Sequence, residues 1–328
     1  MYISFIQTIE SSGSMKIQWA VKRSSPTLWT APPGVLHIIV EYLQCNIWMV
    51  KTRGENPMGT LGVYDVCYRK WTTLRADIPH CVKVTGTCIV SDRVFVIQLH
   101  EKGSVIGLSV SLNGRDVRTH NTAIGRRQMG MASLNGSLYF IGGRRGRTGE
   151  LPTKLCDRYH DEKLTRIGEL NDATYSAGAE MAIRWSSPET PSPIVSTTYN
   201  GQIYIFGGRG DLKVNSEVYD PSKDTWTSIP YHLGGRKPSA CITVGDNIFV
   251  FSEIDHRIYC CAPNTGKWSV YNISCVLPGL RCVYYNDGTM YLISDRKQKE
   301  IPNFDRNGSV THDVVKPMFL PPEAHIAV

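Results

Sequence analysis

The most regular feature of the chain is an apolar run, a two-residue turn and a second apolar run, a pattern that occurs six times. Two apolar runs separated by two turn residues predict a β-hairpin. The Asn-Gly turns suit type I′ geometry, because both central residues of that turn need positive φ. The predicted hairpins span 37–50, 86–98, 196–208, 239–251 and 281–294, and a further one begins the stretch 134–149, which ends as an arginine cluster. Their turns are Gln44-Cys45, Ser91-Asp92, Asn135-Gly136, Asn200-Gly201, Gly245-Asp246 and Asp287-Gly288.

An aromatic residue follows each turn at a constant distance, which makes the pattern a repeat. The intervals between these aromatics are 47, 44, 65, 45 and 42 residues. The long interval predicts an insertion of roughly 20 residues, which we assign to 171–193 because its end is rich in Ser and Pro. The aromatics are Trp48, Phe95, Tyr139, Tyr204, Phe249 and Tyr291.

A second signature follows several of the hairpins. It reads VYDPSKDTW at 218–226, VYDVCYRKW at 63–71 and CCAPNTGKW at 260–268. In the third copy, alignment of RYHDEKLTR places Arg166 where the other copies have Trp, and the second and sixth copies match weakly. Each unit is therefore predicted to be a four-stranded sheet. Because such a sheet is apolar on both faces, it needs neighbours on both sides, with the large aromatics between them.

These units resemble the kelch repeat over roughly residues 35–316. The resemblance implies an all-β fold, a six-bladed kelch-type β-propeller of four-stranded blades. We expect an N-terminal extension at 1–34, the propeller at 35–316 and a C-terminal tail at 317–328. A closing strand could come from 14–21, from 26–33 or from the residues after Val310. The resemblance rests on Gly142-Gly143, Gly207-Gly208, Tyr64-Asp65, Tyr219-Asp220, Trp71, Trp226 and Trp268.

Composition adds only weak constraints. The chain has 36 basic and 29 acidic residues and a net charge of +7, too small by itself to argue for nucleic-acid binding. The N-terminal sequence lacks the pattern of a signal peptide, and no apolar run approaches the roughly 18 residues of a membrane span. A soluble cytoplasmic protein is predicted. The ten cysteines form no C-x-x-C pair, so we expect reduced core thiols and no structural zinc.

No catalytic signature is present, so the sequence predicts a protein that is not an enzyme. The nine histidines are dispersed, with no H-x-H or H-x-x-x-H spacing, and neither a nucleophile elbow nor a P-loop occurs. We predict no catalytic residues, no metal and no cofactor. Convergence of ligands across blades and a galactose-oxidase-like enzyme remain the alternatives.

Basic residues recur in the segments that follow the second strand of each unit. If these segments share one face, that face favours an acidic peptide or degron, since guanidinium groups pair bidentately with carboxylates. The alternative is that these charges are only solvated, and nearby acidic residues dilute them. The candidate partner-binding residues are Lys51, Arg53, Lys102, Arg144, Arg145, Arg147, Arg209, Lys213 and Arg296, with Lys297, Arg126, Arg127, Arg236 and Lys237 close by.

The style of the repeats is similar to the kelch domains of BTB-kelch adaptors. That resemblance implies a non-catalytic protein-interaction module that recognises substrates for a cullin-type ubiquitin ligase. Nothing in the chain resembles a BTB or BACK domain, so the cullin link would be indirect, through a BTB protein. The alternative is a cytoskeletal kelch scaffold that binds actin. Nucleic acid is not an expected partner, because the aromatics occupy core positions.

Overall fold

Every regular element that the computed structural model describes is a β-strand. Among the described residues there is no helix of the length and apolarity that crossing a membrane requires. The chain divides into two compact units, Met1–Asn46 and Ile47–Val328. The described residues are 3–9, 15–21, 46–51, 59–65, 70–78, 83–99, 105–112, 115–120, 126, 129–145, 151–171, 194–207, 216–230, 238–252, 256–272, 280–286, 289–294, 297–301, 314–317 and 324–327.

In the first unit, the described residues include one antiparallel pair of strands. Strand β1 (Ile3–Ile9) pairs with β2 (Met15–Val21), and the register joins Phe5 to Trp19.

The remaining strands of the described residues form six four-stranded sheets and one short two-stranded hairpin. Sheet 1 has the order β28-β3-β4-β5, and sheets 2 to 6 follow in chain order. Sheet 1 contains β3 (Asn46–Lys51), β4 (Gly59–Asp65), β5 (Lys70–Ile78) and β28 (Ala324–Ala327), and sheet 2 contains β6 (Lys83–Val90), β7 (Arg93–Leu99), β8 (Val105–Ser111) and β9 (Val117–His120). Sheet 3 contains β10 (Gly130–Leu134), β11 (Ser137–Ile141), β14 (Cys156–His160) and β15 (Lys163–Ile167), the short hairpin contains β12 (Arg144–Arg145) and β13 (Leu151–Pro152), and sheet 4 contains β16 (Ile194–Tyr199), β17 (Gln202–Gly207), β18 (Ser216–Asp220) and β19 (Thr225–Ile229). Sheet 5 contains β20 (Ala240–Val244), β21 (Asn247–Ser252), β22 (Arg257–Ala262) and β23 (Lys267–Asn272), and sheet 6 contains β24 (Leu280–Asn286), β25 (Thr289–Ser294), β26 (Lys297–Ile301) and β27 (Val314–Pro317).

The predicted two-residue turns are confirmed in sheets 2 to 5. In sheets 3 and 4 both turn residues have positive φ, with Asn135 at 50° and Gly136 at 69° in the first case. The turns of Gln44-Cys45 and Asp287-Gly288 lie outside the described residues. Turn chemistry thus set the strand boundaries in the repeats with the clearest signal.

The core lies in layers between consecutive sheets. Alternate residues of a second strand point to opposite neighbours: Phe140 packs in the layer shared with sheet 2, and Tyr139 packs in the layer shared with sheet 4. The predicted aromatics follow this rule, because Phe95, Tyr204 and Phe249 also face the next sheet along the chain. From sheet 1 through sheet 6, the first strand in the order of each sheet contacts the first strand of the next; these strands are β28, β6, β10, β16, β20 and β24. This all-β stack of four-stranded sheets is consistent with a β-propeller.

Sheet 1 contains strands that are far apart in sequence. Its order places β3 between β28 and β4, and the register pairs Ala327 with Trp48 and Ala324 with Lys51. The sequence pattern predicted that residues 37–43 would pair with this strand; they lie outside the described residues, and β28 occupies the position beside β3. β28 falls inside the segment 317–328 that the sequence analysis set apart as a tail.

The predicted alignment of Arg166 with Trp226 is wrong. Trp226 lies opposite Tyr219, whereas the residue opposite the equivalent Tyr159 is Leu164. The cause is turn length: sheet 3 joins its last strands through the two residues Asp161-Glu162, and sheet 4 uses four, Pro221–Asp224. Two fewer turn residues shift the register by two positions.

Candidate partner-binding surface

The two ends of each sheet differ in the kind of connection they carry. Because the four strands are antiparallel, the connections between strands 1 and 2 and between strands 3 and 4 of sheets 2 to 6 lie at one end, the turn end. The connections between strands 2 and 3 and the segments that join consecutive sheets lie at the other, the loop end. The predicted basic segments follow second strands or join sheets, so the prediction assigns them to loop ends.

Sheets 3, 4 and 5 turn their loop ends to the same side. At the loop end, a Cβ added to Gly130 would lie 3.3 Å from Cγ2 of Ile194, and these are the first residues of β10 and β16. At the turn end, Asn264 of sheet 5 donates to the Tyr199 hydroxyl of sheet 4 at 2.8 Å. Like ends therefore meet between neighbours, so the loop ends of the described strands in these three sheets lie on one side.

The arginine-rich segment forms a hairpin of its own at the loop end of sheet 3. Arg144 pairs with Pro152 and Arg145 pairs with Leu151. Gly142 and Gly143, at φ values of 61° and 106°, turn the chain from β11 into β12, a left-handed conformation that glycine adopts without strain. We call the paired strands β12 and β13, with the sequence between them, the arginine hairpin; residues 146–150 of that sequence lie outside the described residues.

Backbone hydrogen bonds close the base of the arginine hairpin. The Gly142 amide donates to the Leu155 carbonyl at 3.0 Å, and the Thr153 amide donates to the Gly143 carbonyl at 2.9 Å. Thr153 and both glycines are buried, whereas Pro152 is exposed. The base of the hairpin is therefore packed against the sheet, which defines the direction in which β12 leaves it.

The structure describes three of the nine predicted binding residues. Lys51 ends β3, and Arg144 and Arg145 form β12, with the side chain of Arg144 half-buried. The other six lie outside the described residues: Arg53, Lys102, Arg147, Arg209, Lys213 and Arg296.

Two of the basic residues named alongside the candidate set do not lie where the sequence predicted. Arg126 is not a surface residue, because only 1% of its side chain is exposed. Its Nη2 donates to Asp157 Oδ2 at 2.5 Å and its Nη1 donates to the Leu155 carbonyl at 2.6 Å. Lys297 begins strand β26, so the predicted loop at 295–300 is largely strand.

Sequence reasoning missed a buried polar network between sheets 2 and 3. His120 Nε2 lies 2.6 Å from Ser109 Oγ, and its Nδ1 lies 2.8 Å from the Tyr159 hydroxyl. The Arg93 guanidinium also donates to Ser109 Oγ, at 2.8 Å. Burial, with a smaller contribution from the charge of Arg93, lowers the pKa of His120 below its usual value. The only sequence signal was a histidine ending a weakly matching repeat.

The cysteine side chains that the structure describes lie in or against the core. The five cysteines whose side chains are described are free, and burial raises the pKa of Cys88 and of Cys156 to about 12. Within the described residues, no group of three or more His, Cys, Asp or Glu side chains is arranged to hold a metal ion.

Comparison with known families gives one match. The sequence profile of the Kelch motif matches residues 191–232, a range that contains all four strands of sheet 4. No curated protein matches the chain. A Kelch motif usually marks a non-catalytic interaction fold, and such repeats generally bind protein partners. The match and the sheet architecture together fit a kelch-type β-propeller.

Proposed function

We propose that this protein is a closed six-bladed kelch-type β-propeller that binds an acidic segment of a protein partner at its loop end. The observation that carries the proposal is the arginine hairpin, which extends the loop end of sheet 3 and has a buried base. Arginine forks pair with carboxylates in a geometry that lysine cannot reproduce, so clustered arginines favour an acidic peptide. Catalysis has no part in this proposal.

The partner is proposed to be a degron-bearing substrate. In this reading the chain is the substrate-recognition part of a cytoplasmic cullin-type ubiquitin ligase and reaches the cullin through a BTB protein. The support is the resemblance of the repeats to those of BTB-kelch adaptors, together with the Kelch motif match at 191–232.

Charge reversal of the arginine hairpin tests the binding proposal. The variant Arg144→Glu/Arg145→Glu/Arg147→Glu should bind a fluorescent oligo-glutamate peptide at least about tenfold more weakly than wild type at low salt. The matched control is Lys163→Glu/Lys223→Glu/Lys267→Glu, which makes the same change in net charge on exposed turn-end residues. If both variants lose affinity equally, the effect is one of net charge and the hairpin is not the site.

Affinity capture with the same baits tests the adaptor proposal. Wild type should bring down a cullin, a BTB protein and acidic-motif substrates, and hairpin charge reversal should remove the substrates while retaining the cullin. Capture of none of these by wild type contradicts the adaptor proposal. Co-sedimentation of wild type with actin filaments would instead favour a cytoskeletal scaffold.

A further inference from the structure

Asp157 forms ion pairs with two arginines, one at each carboxylate oxygen. Its carboxylate, which is 5% exposed, accepts from Arg126 at Oδ2 and from Arg166 at Oδ1, the second at 2.7 Å. The two arginines differ in environment, because Arg126 is 1% exposed and Arg166 is 51% exposed. Arg126 is thus the buried member of the pair, and it comes from the segment that joins sheets 2 and 3.

Arg126 also acts on the base of the arginine hairpin. The Leu155 carbonyl that accepts its Nη1 is the same carbonyl that accepts the Gly142 amide, the bond that closes the hairpin base. The buried guanidinium of Arg126 therefore binds both the Leu155 carbonyl, which closes the hairpin base, and the carboxylate of Asp157. Removing it would leave Asp157 buried with only its exposed partner, a costly arrangement.

The equivalent carboxylate in sheet 4 has a different donor. Asp157 pairs in register with Phe140, and Glu217 pairs with Ile205, the corresponding residue of β17. Glu217 is buried and accepts from the backbone amide of Asn171 at 2.9 Å and from its side-chain amide at 2.8 Å. In both sheets the preceding connection binds a buried acid on the third strand. In sheet 3 the donor is a guanidinium that reaches the loop base as well.

We propose that Arg126 is a positioning residue that fixes the base of the arginine hairpin. By holding the Leu155 carbonyl and Asp157 together, it sets the orientation in which β12 presents Arg144 and Arg145. Its consequence for binding an acidic peptide rests on the function proposed above, whereas its effect on the hairpin base does not.

Amide hydrogen exchange tests the positioning role directly. In Arg126→Gln, the amides of Gly142 and Thr153 should exchange at least about tenfold faster, while the amides of β21 in sheet 5 keep their wild-type rates. The matched control is Arg166→Gln, which removes the exposed partner of the same carboxylate and should leave Gly142 and Thr153 protected. Uniform acceleration of all amides, or no acceleration at the hairpin base, overturns the proposal.

A conservative variant covers the case in which Arg126→Gln does not fold. Arg126→Lys keeps the charge beside Asp157 but has no planar fork to reach the Leu155 carbonyl at the same time. It should fold and still show selective acceleration at Gly142. Wild-type protection there in Arg126→Lys would contradict the positioning role.

Measuring peptide binding in the same variants separates the positioning role of Arg126 from the proposed function. Arg126→Lys should bind the oligo-glutamate peptide about fivefold more weakly or worse, with Arg166→Gln close to wild type. If wild type does not bind the peptide, the proposed function fails, and the exchange rates still decide whether Arg126 positions the hairpin. If hairpin charge reversal weakens binding and Arg126→Lys does not, the presentation role of Arg126 is wrong.

Discussion

Trp226 joins sheets 3 and 4, so its truncation should destabilise the fold more than truncation of the equivalent Trp268. Trp226 is 7% exposed and packs with Ile167 and Leu170 of the preceding sheet and its connection. Its Nε1 donates to the Gly168 carbonyl at 3.0 Å. Trp268 occupies the same register position in sheet 5 but is only half-buried.

The expected magnitudes follow from these contacts. Trp226→Ala removes a buried indole from a packed layer and should lower the free energy of unfolding by about 3–5 kcal/mol. Trp226→Phe keeps an aromatic ring but loses the N–H donor, which costs about 1 kcal/mol, and some buried area, which costs roughly 1 kcal/mol more. Trp268→Ala should cost about 2 kcal/mol, because less of its surface is removed from water.

Urea unfolding followed by far-UV circular dichroism measures these differences. With an unchanged m-value, the shift in midpoint reports the change in stability. The urea midpoint should fall most in Trp226→Ala and by smaller, similar amounts in Trp268→Ala and Trp226→Phe, each compared with wild type. If Trp226→Ala costs no more than Trp268→Ala, the junction between sheets 3 and 4 does not depend on the indole as argued.

Three further predictions concern pH, thiol reactivity and a close contact. The folded-state pKa of His120 lies below the usual 6.5, so the contribution of neutral His120 to the free energy of unfolding is full above about pH 6.5 and is lost as pH falls. The urea midpoint should therefore drop more between about pH 7.5 and pH 5 in wild type than in His120→Gln. Equal drops in the two proteins would refute this. Cys156, with its pKa raised to about 12, should resist iodoacetamide in the native protein and react once urea unfolds it, as read by mass spectrometry; rapid native labelling would contradict its burial. Gly168→Ala would drive a Cβ into the backbone carbonyl of Asp224 and should cost about 1–3 kcal/mol, whereas Gly136→Ala meets open space and should cost only about 1 kcal/mol from its positive φ; thermal unfolding that ranks them in reverse would refute the contact.

Local patterns in the sequence identified the first two strands of sheets 2 to 6 and four aromatics that lie between sheets: Phe95, Tyr139, Tyr204 and Phe249. Both depend on residues close in sequence: two turn residues set each strand boundary, and alternation sets the face. The register of Leu164 opposite Tyr159 could not be read the same way, because an alignment of repeats assumes equal turn lengths.

The candidate surface stays a prediction, because the structure describes only Lys51, Arg144 and Arg145 of its nine residues. Its grouping rests on chain order, since connections that follow second strands lead away from the same end of a sheet. Burial of Arg126 depends on Asp157, which lies in another part of the repeat, and nothing in the local sequence indicates that pairing. The position of β28 beside β3 is likewise a long-range pairing without a local signal.

That pairing makes the completion of sheet 1 a late event in biosynthesis. Ribosomes add about 5–20 residues per second, so β28 is made roughly 15 to 60 s after the β3 strand that it pairs with. During that interval β3 has, among the described strands, β4 on one side and no partner on the other, the kind of edge that recruits foreign strands. Translation that stalls between Asn272 and Ala324 would release a chain in which sheets 2 to 5 have all their strands and β3 lacks β28, which leaves an edge for chaperones to recognise.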